Sequence, residues 1–343
     1  MIDAPTIAAE AIASETASDV LDAVIAFTGR GPAWRPSLPW SCEREGASLL
    51  LRLVHQRDEL LHDPTNRDVV MGCGAAVENA HIAARHLGRE LIVSRWPNGH
   101  DDPLVATMAL GEAMTPRHED DALFRAMSHA AMHDVPSMPG RGVSPALVAV
   151  LRHAARCEGG WLDVVADDAR RALLGDLEAE AITIGDAERG ARSLLALRLG
   201  RERAAAGAIE VVTGETPPLA HLLEALGADV RESNAWCSDR AAVARACTVT
   251  APLLVVLGSS VDAPDGWLDA GAALQRVLLH AKVQGLSATL LNAPLHHPLL
   301  RDALRTLLFA GGAPQAIVRF DFIDGDARCD RGRIDGWRGS AVA

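Results

Sequence analysis

The chain has 343 residues, 49% of them hydrophobic, and a formal net charge of −12. That is enough apolar material for two domains or one large fused fold. The acidic balance excludes a nucleic-acid surface, which needs clustered Lys and Arg, and the absence of Tyr removes a stacking platform for single strands.

Residues 1–16 are rich in Ala, Ser, Glu and Thr and read as a frayed start. No basic segment precedes an apolar core there, so a secretory signal is not expected. No run approaches the ~20 apolar residues of a membrane helix. The six cysteines (42, 73, 157, 237, 247, 329) form no CxxC pair. They read as reduced thiols of a cytoplasmic protein.

The first periodic segment is Asp19 to Phe27, with Val20, Val24 and Phe27 on one helical side. Gly31 to Trp40 (GPAWRPSLPW) follows. Its three prolines forbid a helix or central strand, leaving a rigid extended loop that carries Arg35, Ser37 and Trp40. Such a loop either lines a ligand site or packs on the core through its tryptophans. Trp40 to Val54 predicts a hairpin turning at Glu45-Gly46. In HDPTNRD (62–68), Asp63 or Thr65 is placed to cap a helix and Pro64 to start it.

Gly74 to Pro97 (GAAVENAHIAARHLGRELIVSRWP) reads as that helix, closed at Gly88, then a strand at Leu91 to Arg95. Cys73 lies near the helix start, where a thiol can be activated. Between two glycines it reads better as a small packing residue. After a turn at 98–102, Leu104 to Leu110 is a strand. PRHEDD (116–121) joins the halves and opens a helix at Ala122 to His133. His129 and His133 share a face at zinc-ligand spacing, but Ala130 stands where a metalloprotease needs Glu. They read as a solvated pair, and no metal site is expected.

Ser144-Pro145 caps and starts a helix to Cys157, and Trp161 to Ala166 is a strand. Asp167 begins another helix, and charged residues 175–207 read as an exposed helical excursion. A short helix follows Pro217-Pro218, and 231–246 is a polar connection with a helix. Thr248 to Leu257 is the strongest buried strand, followed by a loop to Gly271. Gly271 to Pro294 (GAALQRVLLHAKVQGLSATLLNAP) repeats the earlier pattern: Gly-Ala-Ala, a helix closed by a glycine at the same spacing, a strand, a proline. Pro298 to Leu308 is an amphipathic helix and Gln315 to Ile323 the last strand. The order of elements gives an α+β or mixed α/β layer fold. No dinucleotide fingerprint, P-loop or nucleophile elbow is present.

These motifs, in this order, resemble the Acg-type nitroreductase-like family. In the first half they are Pro32, Pro39, Trp40, Asp63-Pro64, Arg67, Gly72-Cys73-Gly74-Ala75-Ala76 and Leu87-Gly88. In the second they are Gly271, Ala273 to Leu279, Gly285-Leu286-Ser287-Ala288, Pro294, Leu304-Arg305, Pro314-Gln315 and Arg319. The resemblance implies an α+β nitroreductase-like fold duplicated in one chain. Its halves would be residues 1–115 and 116–343, the second carrying the excursion near 175–207. They would form an internal pseudo-dimer, and the chain would be a monomer. It implies FMN at the interface, NAD(P)H as reductant, a small-molecule acceptor, and no membrane or nucleic-acid partner. No protein side chain is required as catalyst, since the flavin carries the reaction.

The implied flavin site lies between the proline loop (Arg35, Ser37, Trp40) and the segment Ala288, Thr289, Leu290, Leu291, with Arg319 as a second cation. The departures from the family pattern fall there. Ala33, Arg35, Pro36 and Leu38 stand where relatives carry Ser, His, Asn and Gln, and Ser128 to Asp134 contains no Arg. Fewer donors and cations predict weak or lost FMN binding. The alternative is a non-catalytic descendant that binds flavin or another small molecule for storage, or serves a structural role.

Overall fold

The protein is described by a computed structural model covering residues 17–29, 40–54, 65–128, 143–185, 240–308 and 311–322. It begins with α1 (Ala17–Thr28) and the hairpin β1 (Trp40–Glu45) and β2 (Ser48–Leu53), then the long α2 (Arg67–His86). Strands β3 (Arg89–Arg95) and β4 (Leu104–Ala113) and helix α3 (His118–Ser128) follow. Next come α4 (Pro145–Cys157), β5 (Gly160–Val164) and helical residues 168–185 (α5) and 240–249 (α6). The chain continues through β6 (Leu253–Ser259), α7 (Pro264–Val283), β7 (Leu286–Leu290), a 3-10 turn (Ala293–His296), α8 (Pro298–Leu308) and β8 (Ala313–Phe322).

The strands form two four-stranded sheets, ordered β1-β2-β4-β3 and β5-β6-β8-β7, with every pairing antiparallel. Helices and sheets are mixed along the chain, giving the α+β class. In the first sheet Leu49, Leu51, Val105 and Met108 point into one core with Val20, Val24, Val77 and Ile82. β6 explains its unbroken apolar sequence: it is central and covered on both faces. Val255 and Leu257 pack with Leu274 and Val277 of α7, while Leu254 and Val256 pack with Leu291, Leu295 and Leu304.

The two sheet units meet where α2 crosses α7, and the crossing is close because glycines line it. A Cβ at Gly74 would overlap the Leu268 carbonyl, and one at Gly271 would overlap the Met71 carbonyl. The crossing also holds two buried polar pairs, Gln275 Nε2 to Asn79 Oδ1 at 2.7 Å and Arg276 Nη1 to Glu78 Oε1 at 3.0 Å. Gly88 and Gly285 end these helices with φ of 70° and 77°, the left-handed conformation expected after a helix C-terminus.

Several boundaries differ from the sequence reading. α2 starts at Arg67 behind left-handed Asn66, which makes no side-chain cap bond, and Asp63 lies outside the described residues. α3 starts at His118, where the Asp120 carboxylate accepts from the Arg117 N–H at 3.0 Å. α7 begins at Pro264, so Gly271 is internal. β6 begins at Leu253, because the Thr248 and Thr250 hydroxyls bond back to Ala244 and Ala246 and finish α6. Residues 175–185 are not wholly exposed, since Glu178 and Ala181 are buried. The remainder of that excursion and the stretch after Pro217-Pro218 lie outside the described residues.

Candidate functional site

β7 is an edge strand, with β8 on one side and no described strand on the other. The Leu291 N–H donates to Ile317 O at 2.9 Å. In an antiparallel ladder the groups of alternate residues face opposite ways. The main-chain N–H and C=O of Thr289 therefore face β8, and those of Ala288 and Leu290 face the open edge. The Ala288 side chain is buried toward α7 and that of Leu291 toward α8, while Thr289 and Leu290 are half-buried. This segment offers a main-chain hydrogen-bonding edge on a rigid sheet, which suits a planar heterocycle with alternating donors and acceptors.

Trp40 opens β1 and is buried against Gly72, where a Cβ would overlap the indole ring. Its Nε1–H is buried and has no acceptor among the described residues. An orphaned buried donor is unusual enough to ask for a ligand acceptor. Arg35 and Ser37 lie outside the described residues. Arg319 is placed differently from a free cation: its Nε and Nη2 donate to the two oxygens of Asp321 at 2.7 and 2.9 Å, and Nη1 donates to the Cys247 carbonyl at 3.0 Å. A phosphate would have to displace that carboxylate. Arg319 instead holds β8 at the position opposite Thr289.

A polar network joins the start of α2 to the second sheet. Arg67, buried, donates from Nη1 to the Gln315 carbonyl at 3.0 Å and to Gln315 Oε1 at 3.2 Å, and from Nη2 to Asp68 at 2.6 Å. Gln315 Oε1 also accepts from Arg301 at 3.0 Å, while its Nε2 donates to Ser259 Oγ at 3.1 Å and Asp262 at 3.3 Å. Asp262 further accepts from Arg301 and from the Trp267 indole N–H at 2.6 Å. Burial pushes the Asp262 carboxyl up, but Trp267, Arg301 and Gln315 outweigh it and hold it below the usual range. His296 Nδ1 lies 3.4 Å from Asp68, just beyond the β7 segment. These residues were not singled out as site residues from sequence. Arg67 and Gln315 stood in the motifs; Gln315 is an amide inside an otherwise apolar strand, whereas Arg67, in the polar stretch 62–68, gave no such signal.

Cys73 is fully buried, and burial followed by the nearby Cys42 drives its thiol far up. It is a packing residue and not a nucleophile. His81 is half-buried, and its partial desolvation lowers it to about 4 and keeps it neutral. No group of three or more His, Cys, Asp or Glu among the described residues has the geometry of a metal site. His129 and His133 lie outside them. Among the described residues, no helix is long and apolar enough to cross a membrane.

No protein-family model matches the chain. It does align along most of its length with curated proteins of the nitroreductase class, Acg among them. "Putative NAD(P)H nitroreductase Rv3131" of Mycobacterium tuberculosis strain H37Rv is 27% identical over 314 residues, 88% of this chain and 85% of the relative. "Putative NAD(P)H nitroreductase acg" of the same strain is 24% identical over 320 residues, 88% of each. Among solved structures, the FMN-dependent nitroreductase NfnB from Mycobacterium smegmatis, in complex with NADPH, is matched. Its TM-score is 0.34 at 16% identity, covering 65% of this chain and 99% of that one. An overlap that loose supports no residue-level comparison.

Proposed function

We propose that this protein is an FMN-dependent NAD(P)H oxidoreductase of nitroreductase type, built from two fused halves. The observation that carries the reading is the near full-length similarity to proteins named NAD(P)H nitroreductases. The fused arrangement, with halves at 1–115 and 116–343, is supported by the α2–α7 crossing. The register that lays Gly74 on Gly271 also lays Met71 on Leu268, Glu78 on Gln275 and Asn79 on Arg276. Gly74 meets Leu268 and Gly271 meets Met71; Asn79 pairs with Gln275 and Glu78 with Arg276. Each contact thus has its exchanged twin, as two copies related by a twofold axis require. The shared strand order of the two sheets agrees with it.

The residues present fit a flavin ring better than its phosphate. The open edge at Ala288 and Leu290 and the orphaned Trp40 N–H are ring partners, with Thr289, Leu291 and Arg319 fixing that edge in place. Arg35 and Ser37 of the proline loop complete the proposed site. FMN, when bound, supplies the hydride chemistry, while the chain supplies position and polarity. Because Arg319 is spoken for by Asp321, the phosphate grip rests on fewer cations and affinity is reduced. That same pairing is the one observation favouring a non-catalytic binding descendant.

The test is a fluorescence titration of apo-protein with FMN, repeated on Arg35→Ala and Arg319→Ala. Saturable binding that weakens in Arg35→Ala supports the site. Sub-micromolar binding unaffected by both substitutions contradicts it, and no binding at millimolar FMN contradicts the flavin reading.

A further inference from the structure

Four helices converge on one guanidinium. Arg276 of α7 points Nη1 at Glu78 Oε1 of α2 (3.0 Å) and at Glu158 Oε1 at the end of α4 (3.4 Å), and Nη2 at Glu119 Oε1 of α3 (3.1 Å). Glu119 Oε1 is also 3.2 Å from His280 Nε2 of α7. Three carboxylates therefore face one fixed positive charge. Two of them approach the same Nη1, which brings Glu78 and Glu158 against each other. The side chain of Glu119 is 46% exposed, whereas that of Glu78 is 1% exposed and has no water to hold its charge.

We propose that this cluster is a proton-operated brace. A single proton kept on Glu78, facing Glu158, lets α2, α3, α4 and α7 close on Arg276, and loss of that proton in mild alkali loosens the crossing. The inference rests on the helix crossing alone and stands or falls separately from the flavin reading.

The surrounding charges agree with it. Burial, then the Glu158 charge, push the Glu78 carboxyl up to about 8, against the pull of Arg276 and Arg85. His81 on α2 and His280 on α7 are lowered by burial and do not compensate the carboxylates in the same range; His153 of α4 faces His280. An unfolded glutamate has its ordinary value of 4.5, so between that pH and about 8 the folded chain holds one proton more than the unfolded chain. Stability from this group is therefore full below the unfolded value, falls as pH rises through the window, and levels off above it.

The experiment is urea unfolding at fixed pH values from 5 to 9 for wild type, Glu78→Gln and Glu119→Gln. Glutamine keeps the size and a donor but cannot titrate. Relative to Glu78→Gln, the wild-type unfolding constant should rise about tenfold per pH unit across the window, the signature of one released proton. Glu119→Gln should keep the wild-type slope. Parallel profiles for wild type and Glu78→Gln would overturn the proposal. Infrared difference spectra of the folded protein between pH 7 and pH 9 give a second readout. Because burial also raises Glu178, to about 7, the expected result is a protonated-carboxyl band lost in wild type that is missing from the Glu78→Gln difference spectrum, and equal band loss in both overturns the proposal.

Discussion

A single methyl group measures how tightly the two long helices are joined. On an exposed helix Gly→Ala stabilises by roughly 0.5–1 kcal/mol. At Gly74 or Gly271 the new carbon meets a backbone carbonyl of the other helix, and neither backbone can step aside alone. We expect Gly271→Ala to destabilise by about 1–3 kcal/mol, the usual range for overpacking. A thermal melt reads the sign directly. Trp40→Phe works the other way. It deletes a buried donor with no acceptor among the described residues, so the apo-protein should lose little stability. If that donor serves the flavin, FMN affinity should fall about two- to tenfold, the worth of one neutral hydrogen bond. Unchanged affinity would remove Trp40 from the site. Arg319 marks what a sequence hides at this scale. It read as an available cation because charge is visible and pairing is not. Yet Asp321 lies two positions along the same strand, where side chains share a face, and it takes the guanidinium.

Two substitutions on one strand separate ladder from edge. Thr289 turns its main chain to β8 and Leu290 turns its own to the open side of β7. Proline is tolerated where a strand N–H is not in the ladder. Leu290→Pro should therefore fold and lose FMN affinity, whereas Thr289→Pro should fail to fold or melt far lower. Circular dichroism with the FMN titration distinguishes them, and normal flavin binding by Leu290→Pro would contradict the edge assignment. Most elements were legible beforehand, because hairpin, helix and strand periods are local properties. The start of α7 was not. Gly266 read as a loop residue and Gly271 as the first residue of the helix, and the approach of Val261 and Met71 explains glycine inside it. β6 was located but begun too early, since β-branched Thr248 and Thr250 favour strands in general and here bond back into α6.

At the scale of the molecule, the proposed fusion of two halves would remove the need for a second copy. Both sides of the proposed cleft come from one chain, so sedimentation should show a monomer whose FMN binding is independent of protein concentration. In the sequence the proposed repeat rests on two Gly-Ala-Ala helices with matching glycine ends. Its reciprocal contacts were not visible, because no periodicity specifies which residue of one helix meets which of the other. The polar network from Arg67 to Asp262 was hidden for the same reason: its members are spread from α2 to β8. The most direct test of the account is to load the purified protein with FMN under anaerobic conditions, remove free flavin, and add NADPH or NADH while following flavin absorbance. The account predicts that protein-retained flavin is bleached by at least one nicotinamide and recovers its colour with a nitroaromatic or quinone acceptor. A protein that retains flavin but is bleached by neither nicotinamide, or that retains none at millimolar loading, would contradict it.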